Sequence, residues 1–269
     1  MAARSWCWAR AELKGSLPSL RETMAWRVLM VAVATTAFTT SRAPSRAIRR
    51  GVALRGESAA VGFSGEAGSA GEVAAVAHFG SSARTVACRS LEEMFVAVEK
   101  KEIAFGMLPV ENSLTGGLNK AFDLLLQHDL KIFGETCLRH EDDPTDFTRY
   151  VIVSMRDAAP PMARPKTSLA FAVIDRPGAL AAALGEFGRR GINILKIESR
   201  PRRRTTGPGF FYVFFLGFEG TLSDANCAAA VKGLLDRSAF VRFLGSYDAA
   251  PPVELQDAAV RADPALLQI

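Results

Sequence analysis

Histidine and cysteine are scarce in this 269-residue chain, three and four in number, and their positions exclude two chemistries. Cys7, Cys88, Cys137 and Cys227 are widely scattered and form no Cys-x-x-Cys pair. Neither a zinc framework nor a disulfide scaffold is expected, and reduced thiols are the default. His78, His128 and His140 lack any spacing that would put two ligands on one ion, so no metal site is expected. Long apolar runs are missing too. The stretch Val28 to Ala34 falls far short of the ~20 residues that span a bilayer, which argues against a membrane anchor. Internal repeats are also absent.

Acid is absent from Met24 to Arg55, and this absence explains the net charge of +5. Residues 1–56 hold about ten Lys or Arg against Glu12 and Glu22, roughly +8, which leaves roughly −3 for the rest. The basic balance belongs to the leader, and no nucleic-acid partner is expected. Arg27 precedes the apolar run, and a Ser-, Thr-, Ala- and Arg-rich stretch follows from Thr35 to Arg50. That order predicts a targeting presequence over 1–56. It resembles a two-part plastid presequence with Ala37-Phe38 near the first cleavage, which implies the plastid stroma. A simple mitochondrial or plastid transit peptide is the alternative.

From Ala59 to Ser154 short apolar runs alternate with helical periodicity, as in an α/β lobe. Val61 to Phe63 reads as a strand, and Gly65 to Gly68 as the turn into a helix ending at Phe79. Leu91, Met94, Phe95 and Val98 stand at i, i+3, i+4, i+7, which predicts a helix packed on a sheet. Phe105 to Val110 reads as a buried strand ending at Pro109, and Leu118 to Gln127 as a helix. Lys131 to Gly134 and Tyr150 to Met155 are further strand candidates. Prolines at 160, 161 and 165 mark a linker over 156–165. Beyond it, Lys166 to Tyr247 reads strand, helix, strand, strand, helix, strand, the order of a ferredoxin-like sheet with both helices on one face. Arg202 through Gly209 reads as a turn.

Two polar segments in the lobe carry the chemistry, Leu108-Pro109-Val110-Glu111-Asn112-Ser113 and Thr148-Arg149-Tyr150. With Gly116, Asp123-Leu124-Leu125, Gly134-Glu135 and Asp142-Asp143 they resemble the two ends of a prephenate dehydratase catalytic domain. The resemblance implies a periplasmic-binding-protein-like α/β fold over 59–155, here truncated. It also implies decarboxylating dehydration of prephenate to phenylpyruvate, or the corresponding reaction of arogenate, in phenylalanine biosynthesis. The catalytic candidates so implied are Thr148 beside the leaving hydroxyl, Asn112 and Ser113 at a strand end, and Glu111 and Arg149. Strand alternation puts Thr148 and Tyr150 on one face and Arg149 on the other. The reaction needs anion-binding groups, a proton donor and exclusion of water, and requires no metal or redox cofactor.

The family places a whole second lobe, with its Ser-His-Pro-Gln-like segment, between these two ends. Here His140 runs almost directly into Asp142. Ala70-Gly71 replaces the usual aromatic-Ser of the first loop, and Asp146 stands where the family has Asn. A cleft cut to one lobe is expected to give little or no turnover, since each lost donor costs about 3 kcal/mol in the barrier.

In the second half, Pro177-Gly178-Ala179-Leu180, Ile192-Asn193-Ile194, Glu198-Ser199-Arg200-Pro201 and Leu244-Gly245-Ser246-Tyr247 recur in order. They resemble an ACT regulatory domain of the phenylalanine-binding type over 166–248, followed by a tail over 249–269. The resemblance implies a homo-oligomer joined through ACT domains, with L-phenylalanine held by Gly178, Ala179, Leu180, Asn193, Glu198, Ser199 and Arg200. A non-catalytic phenylalanine-binding regulator is the alternative reading. An aromatic amino acid hydroxylase has a similar Glu-Ser-Arg-Pro, but this chain has no iron-binding His/Glu set.

Overall fold

The computed structural model describes residues 59–140, 143, 145–158, 161–203 and 210–250. The expected presequence, most of the expected tail and the centre of the 202–209 turn lie outside these residues. The chain divides into two compact units. One comprises Thr167–Phe243, and the other the described residues up to Lys166 together with those from Leu244 onward.

The first unit is a mixed sheet flanked by three helices. Its strands are β1 (Ala60–Ser64), β2 (Arg84–Cys88), β3 (Phe105–Asn112), β5 (Lys131–Arg139) and β6 (Phe147–Ser154), in the order β2-β1-β3-β6-β5. The two-residue β4 (Gly116–Gly117) pairs beside β3. Strands β2 and β3 run parallel to β1, whereas β6 is antiparallel to both β3 and β5. Alternation sends Val61, Phe63, Phe105, Met107, Tyr150 and Ile152 to one face, where Ala74 and Ala75 of α1 (Ala70–Phe79) close the core. Met94 of α2 (Leu91–Glu99) covers the other face. It comes so near that a Cβ on Gly62 would lie 3.2 Å from Met94 Cγ and 2.3 Å from Ile103 Cδ1. Helix α2 starts where Ser90 Oγ accepts the Glu93 N–H, and the Glu93 carboxylate in return accepts from Arg89 N. Helix α3 (Asn119–Gln127) packs against β3 and α2.

Strand β3 does not end at Pro109. It continues to Asn112, with a register shift between Pro109 and Glu111. Proline cannot donate to a ladder, and an irregularity beside it absorbs the missing bond. The Val110 carbonyl then accepts from Leu118 N at 2.9 Å, which brings the chain back toward α3. Strands β5 and β6 likewise extend beyond expectation and meet as a hairpin in which Arg139 faces Phe147.

The second unit holds most of the four-stranded sheet β10-β7-β9-β8, built from β7 (Pro165–Val173), β8 (Ile194–Arg203), β9 (Phe210–Glu219) and β10 (Ser238–Asp248). Leu169, Phe171, Leu216 and Phe218 pack against Ala183 and Phe187 of α4 (Ala179–Gly188) and Ala230, Val231 and Leu234 of α5 (Ala225–Arg237). This is the ferredoxin-like arrangement expected, with both helices on one face. Arg202 and Arg203, expected in a turn, are paired strand residues of β8.

Candidate functional site

Asn112 stands at the end of β3 and organises the loop that follows. Its Oδ1 accepts from Leu114 N at 2.9 Å, Thr115 N at 3.0 Å and Thr115 Oγ1 at 3.2 Å. That fixes the amide orientation, so Nδ2 points across the sheet, donating to Asp146 Oδ1 at 2.5 Å and to Thr148 Oγ1 at 3.2 Å. Ser113 locks the same corner. Its Oγ donates to the Thr145 carbonyl at 2.8 Å and accepts from Phe147 N at 2.9 Å. Thr148, 7% exposed, completes the group with His140 Nε2 at 2.8 Å from its Oγ1. The turn between His140 and Asp146 is tied by His140 N to the Asp146 carbonyl and by Asp143 Oδ1, which accepts from Thr145 N and Oγ1.

Glu111 and Arg149 are cross-strand partners one residue away, and alternation turns them to the opposite face. Arg149 Nη1 donates to Glu135 Oε1 at 2.5 Å, and Lys166 Nζ donates to Glu135 Oε2 at 2.5 Å. Arg149 Nε lies 3.2 Å from Glu111 Oε2, but its N–H is directed off that oxygen and makes no hydrogen bond. The Glu135 side chain is 1% exposed and that of Lys166 8%, so this is a buried ionic row. Burial pulls the Arg149 guanidinium down most strongly, but its neighbours Glu135, Cys137 and Glu111 together outweigh it and hold the group above its ordinary value. Burial pushes the neighbouring Cys137 thiol up.

The five catalytic candidates thus fall into two groups. Asn112, Ser113 and Thr148 converge on one hydrogen-bonded corner, whereas Glu111 and Arg149 form a charge row on the other face. His140 joins the first group without any sign in its spacing. Once β5 and β6 are paired as a hairpin, however, its place beside Thr148 follows from the register. Glu135 was visible as part of Gly134-Glu135, but its partnership with Lys166 spans 31 residues and has no local signature.

The first glycine turn lies beyond the C-terminal end of β1, at the same end of the sheet as Asn112. Gly65 and Gly68 both take positive φ, at 116° and 83°. Glu72 braces the turn by accepting from Gly68 N at 2.7 Å and from Thr85 Oγ1 at 2.6 Å, and these bonds hold its carboxyl below the usual value. Among the described residues no group of three or more His, Cys, Asp or Glu is placed to hold a metal ion, and no helix is long and apolar enough to cross a membrane.

In the second unit Gly178 caps α4 with φ 77°, a left-handed conformation that glycine adopts without steric cost. Ala179 and Leu180 open the helix, and Leu180 packs against the core. On β8, Glu198 and Arg200 stand across from Phe215 and Val213, whereas Ser199 stands across from Phe214, which packs on the helix side. Glu198 and Arg200 therefore share the face away from α4 and α5, with Lys196 Nζ 3.7 Å from Glu198 Oε2. Asn193 is exposed and donates from Nδ2 to Glu219 Oε1 at 3.3 Å.

Comparison with known proteins places both units. The sequence profile of the prephenate dehydratase family matches residues 61–142, and that of the ACT domain matches 167–226. Thr148-Arg149-Tyr150 lies just past the first match. A bifunctional chorismate mutase/prephenate dehydratase of Aquifex aeolicus is 27% identical over 257 residues, covering 66% of this chain and 70% of that protein. A chloroplastic arogenate dehydratase/prephenate dehydratase of Arabidopsis thaliana is 26% identical over 280 residues, covering 70% and 71%. Both alignments are longer than the part of this chain they contain, so each relative has a stretch with no counterpart here. Prephenate dehydratase from Streptococcus mutans superposes with a TM-score of 0.61 at 28% identity, covering 72% of this chain and 100% of that one. Matched in sequence on each unit in turn, and in fold along the whole length of a solved relative, the chain belongs to the prephenate dehydratase family and carries its C-terminal ACT domain.

Proposed function

We propose that this chain serves phenylalanine biosynthesis as a prephenate dehydratase or arogenate dehydratase under feedback control by L-phenylalanine. In that reaction the bond from ring carbon to carboxylate breaks, its electron pair completes the aromatic ring, and the hydroxyl para to it leaves as water after taking a proton. Thr148 is the donor to the leaving oxygen, since a threonine hydroxyl serves better as a hydrogen-bond donor or relay than as an ionised acid. Asn112 and Ser113 set the corner that Thr148 occupies. Glu111 and Arg149 hold the hairpin from behind, and the glycine turn after β1 lies at the same end to cradle an anionic substrate. The observation that carries this reading is the hydrogen bond from Asn112 Nδ2 to Thr148 Oγ1, which joins the two motifs across 36 residues.

A second reading, a phenylalanine-binding regulator without turnover, is favoured by a specific observation. The polar atoms of Asn112 and Ser113 are engaged within the corner, and one lobe alone cannot exclude water. In both readings phenylalanine sits where two ACT domains meet, with Gly178, Ala179 and Leu180 at the helix start and Asn193, Glu198, Ser199 and Arg200 on and beside β8. A helix start offers N–H groups to the ligand carboxylate and Glu198 offers a partner to its ammonium. A homo-oligomer and plastid targeting by the leader belong to the same proposal. The test is turnover of prephenate and of arogenate by the purified mature chain, with calorimetry on phenylalanine beside it. Binding without turnover selects the regulator, turnover selects the enzyme, and absence of both refutes the two readings together.

A further inference from the structure

We infer that His140 is a positioning residue that decides whether the Thr148 hydroxyl is free to donate to a ligand. A threonine hydroxyl has one proton and two lone pairs. The three donors held on Asn112 Oδ1 fix its amide, so the Asn112 contact to Thr148 is an N–H donated to one lone pair. His140 Nε2, at 2.8 Å, takes one of the two valences that remain. With a proton on Nε2, the ring donates to the second lone pair and the threonine proton is left to point outward. With Nε2 bare, the threonine proton is spent on the ring and Thr148 has nothing to donate.

The Nε2–H form of the ring therefore leaves Thr148 in its donor state, and the Nδ1–H tautomer, with Nε2 bare, takes that state away. The charged groups around the ring leave this logic intact. The Asp146 carboxylate is engaged by Asn112 and that of Asp143 by Thr145, while the Arg139 guanidinium lies 5.2 Å from the centre of the Phe147 ring. Glu111, Arg149 and Glu135 lie on the opposite face of the sheet. In a full two-lobed cleft the distant wall would share in orienting such a hydroxyl. Here the residue at the shortened junction does so.

This inference rests on the reading of Thr148 as the residue facing the leaving hydroxyl, and the experiment separates the two. In the full chain labelled with 15N at its three histidines, His140→Gln identifies the His140 signals by their loss. Thr148→Val should then move the His140 ring-nitrogen shifts while those of His78 and His128 stay in place. An unmoved His140 overturns the inference whatever the activity. With prephenate as substrate, His140→Gln retains an N–H donor, so it should keep kcat within about tenfold of the native value, whereas His140→Leu should lose about 100-fold. A His140→Leu variant as active as His140→Gln overturns the inference. Lack of turnover in the native chain instead removes the dehydratase reading and leaves the coupling to be decided by the ring nitrogens.

Discussion

Replacing Glu135 by Gln should be among the most damaging single changes in the first unit, although it alters no shape. The carboxylate is 1% exposed and receives both Lys166 and Arg149 at 2.5 Å. Once it is neutral, the Lys166 ammonium, 8% exposed, is left without its counter-charge, a situation that costs about 3–5 kcal/mol. Arg149 is 29% exposed and can turn partly to water, so its share is smaller. We place the total at about 4 kcal/mol, a large part of the ~5–15 kcal/mol that holds a domain together. With a urea slope near 2 kcal/mol/M, the midpoint should fall by about 2 M. All three tryptophans lie within residues 1–56, so unfolding is followed by circular dichroism, with hydrogen exchange of the β5 and β6 amides reporting on this unit alone. Glu135→Leu combined with Lys166→Met should recover most of the loss, because an apolar pair of similar volume needs no counter-charge. A loss below about 1 kcal/mol in Glu135→Gln, or a double variant worse than the single ones combined, would refute the assignment of a buried ionic row.

Three further outcomes are expected. Burial holds His78 below its ordinary 6.5, so the unfolded chain takes up a proton first as pH falls through that value. Stability present at neutral pH is therefore lost on acidification down to the folded pKa, and His78→Gln should flatten unfolding midpoints measured between about pH 7 and pH 5. Gly245→Ala would set a Cβ 2.3 Å from the Ile132 carbonyl oxygen at a φ of 150°, and should cost about 1–3 kcal/mol, read as a lower melting temperature. Asn112→Ala removes the acceptor from Leu114 N and Thr115 N, and those two amides should exchange at least about tenfold faster, equivalent to the ~1–3 kcal/mol cost of an unsatisfied donor.

The parts of this fold legible in the sequence were those governed by local period. Met94, Phe95 and Val98 recur at helical spacing and are buried, and the order of apolar runs after Lys166 maps directly onto the ferredoxin-like sheet. Pro109 misled because a proline does remove a ladder bond, yet a register shift can carry a strand past it. Arg202 and Arg203 misled because charge suggests a turn, whereas their pairing with Phe211 and Phe210 is set by the partner strand. Asn112, Ser113 and Thr148, named from their motifs, share one hydrogen-bonded corner. His140 and Lys166 were not so named, because each acquires its role only from a neighbour that folding brings to it.

The β5–β6 hairpin has a practical meaning beyond the chemistry at its tip. Arg139 and Phe147 are directly paired, so their Cα atoms are about 5 Å apart, and the ladder runs on beneath them to Lys131 and Ser154 with one register shift, between Ile132 and Gly134. Such a junction is a socket. Any module whose own ends lie that close together can be inserted between residues 140 and 146 while the host sheet keeps its register, as tolerated domain insertions do. The same geometry makes the loss of a module as easy as its gain, and it marks the place where a second lobe could be spliced back to ask what it restores.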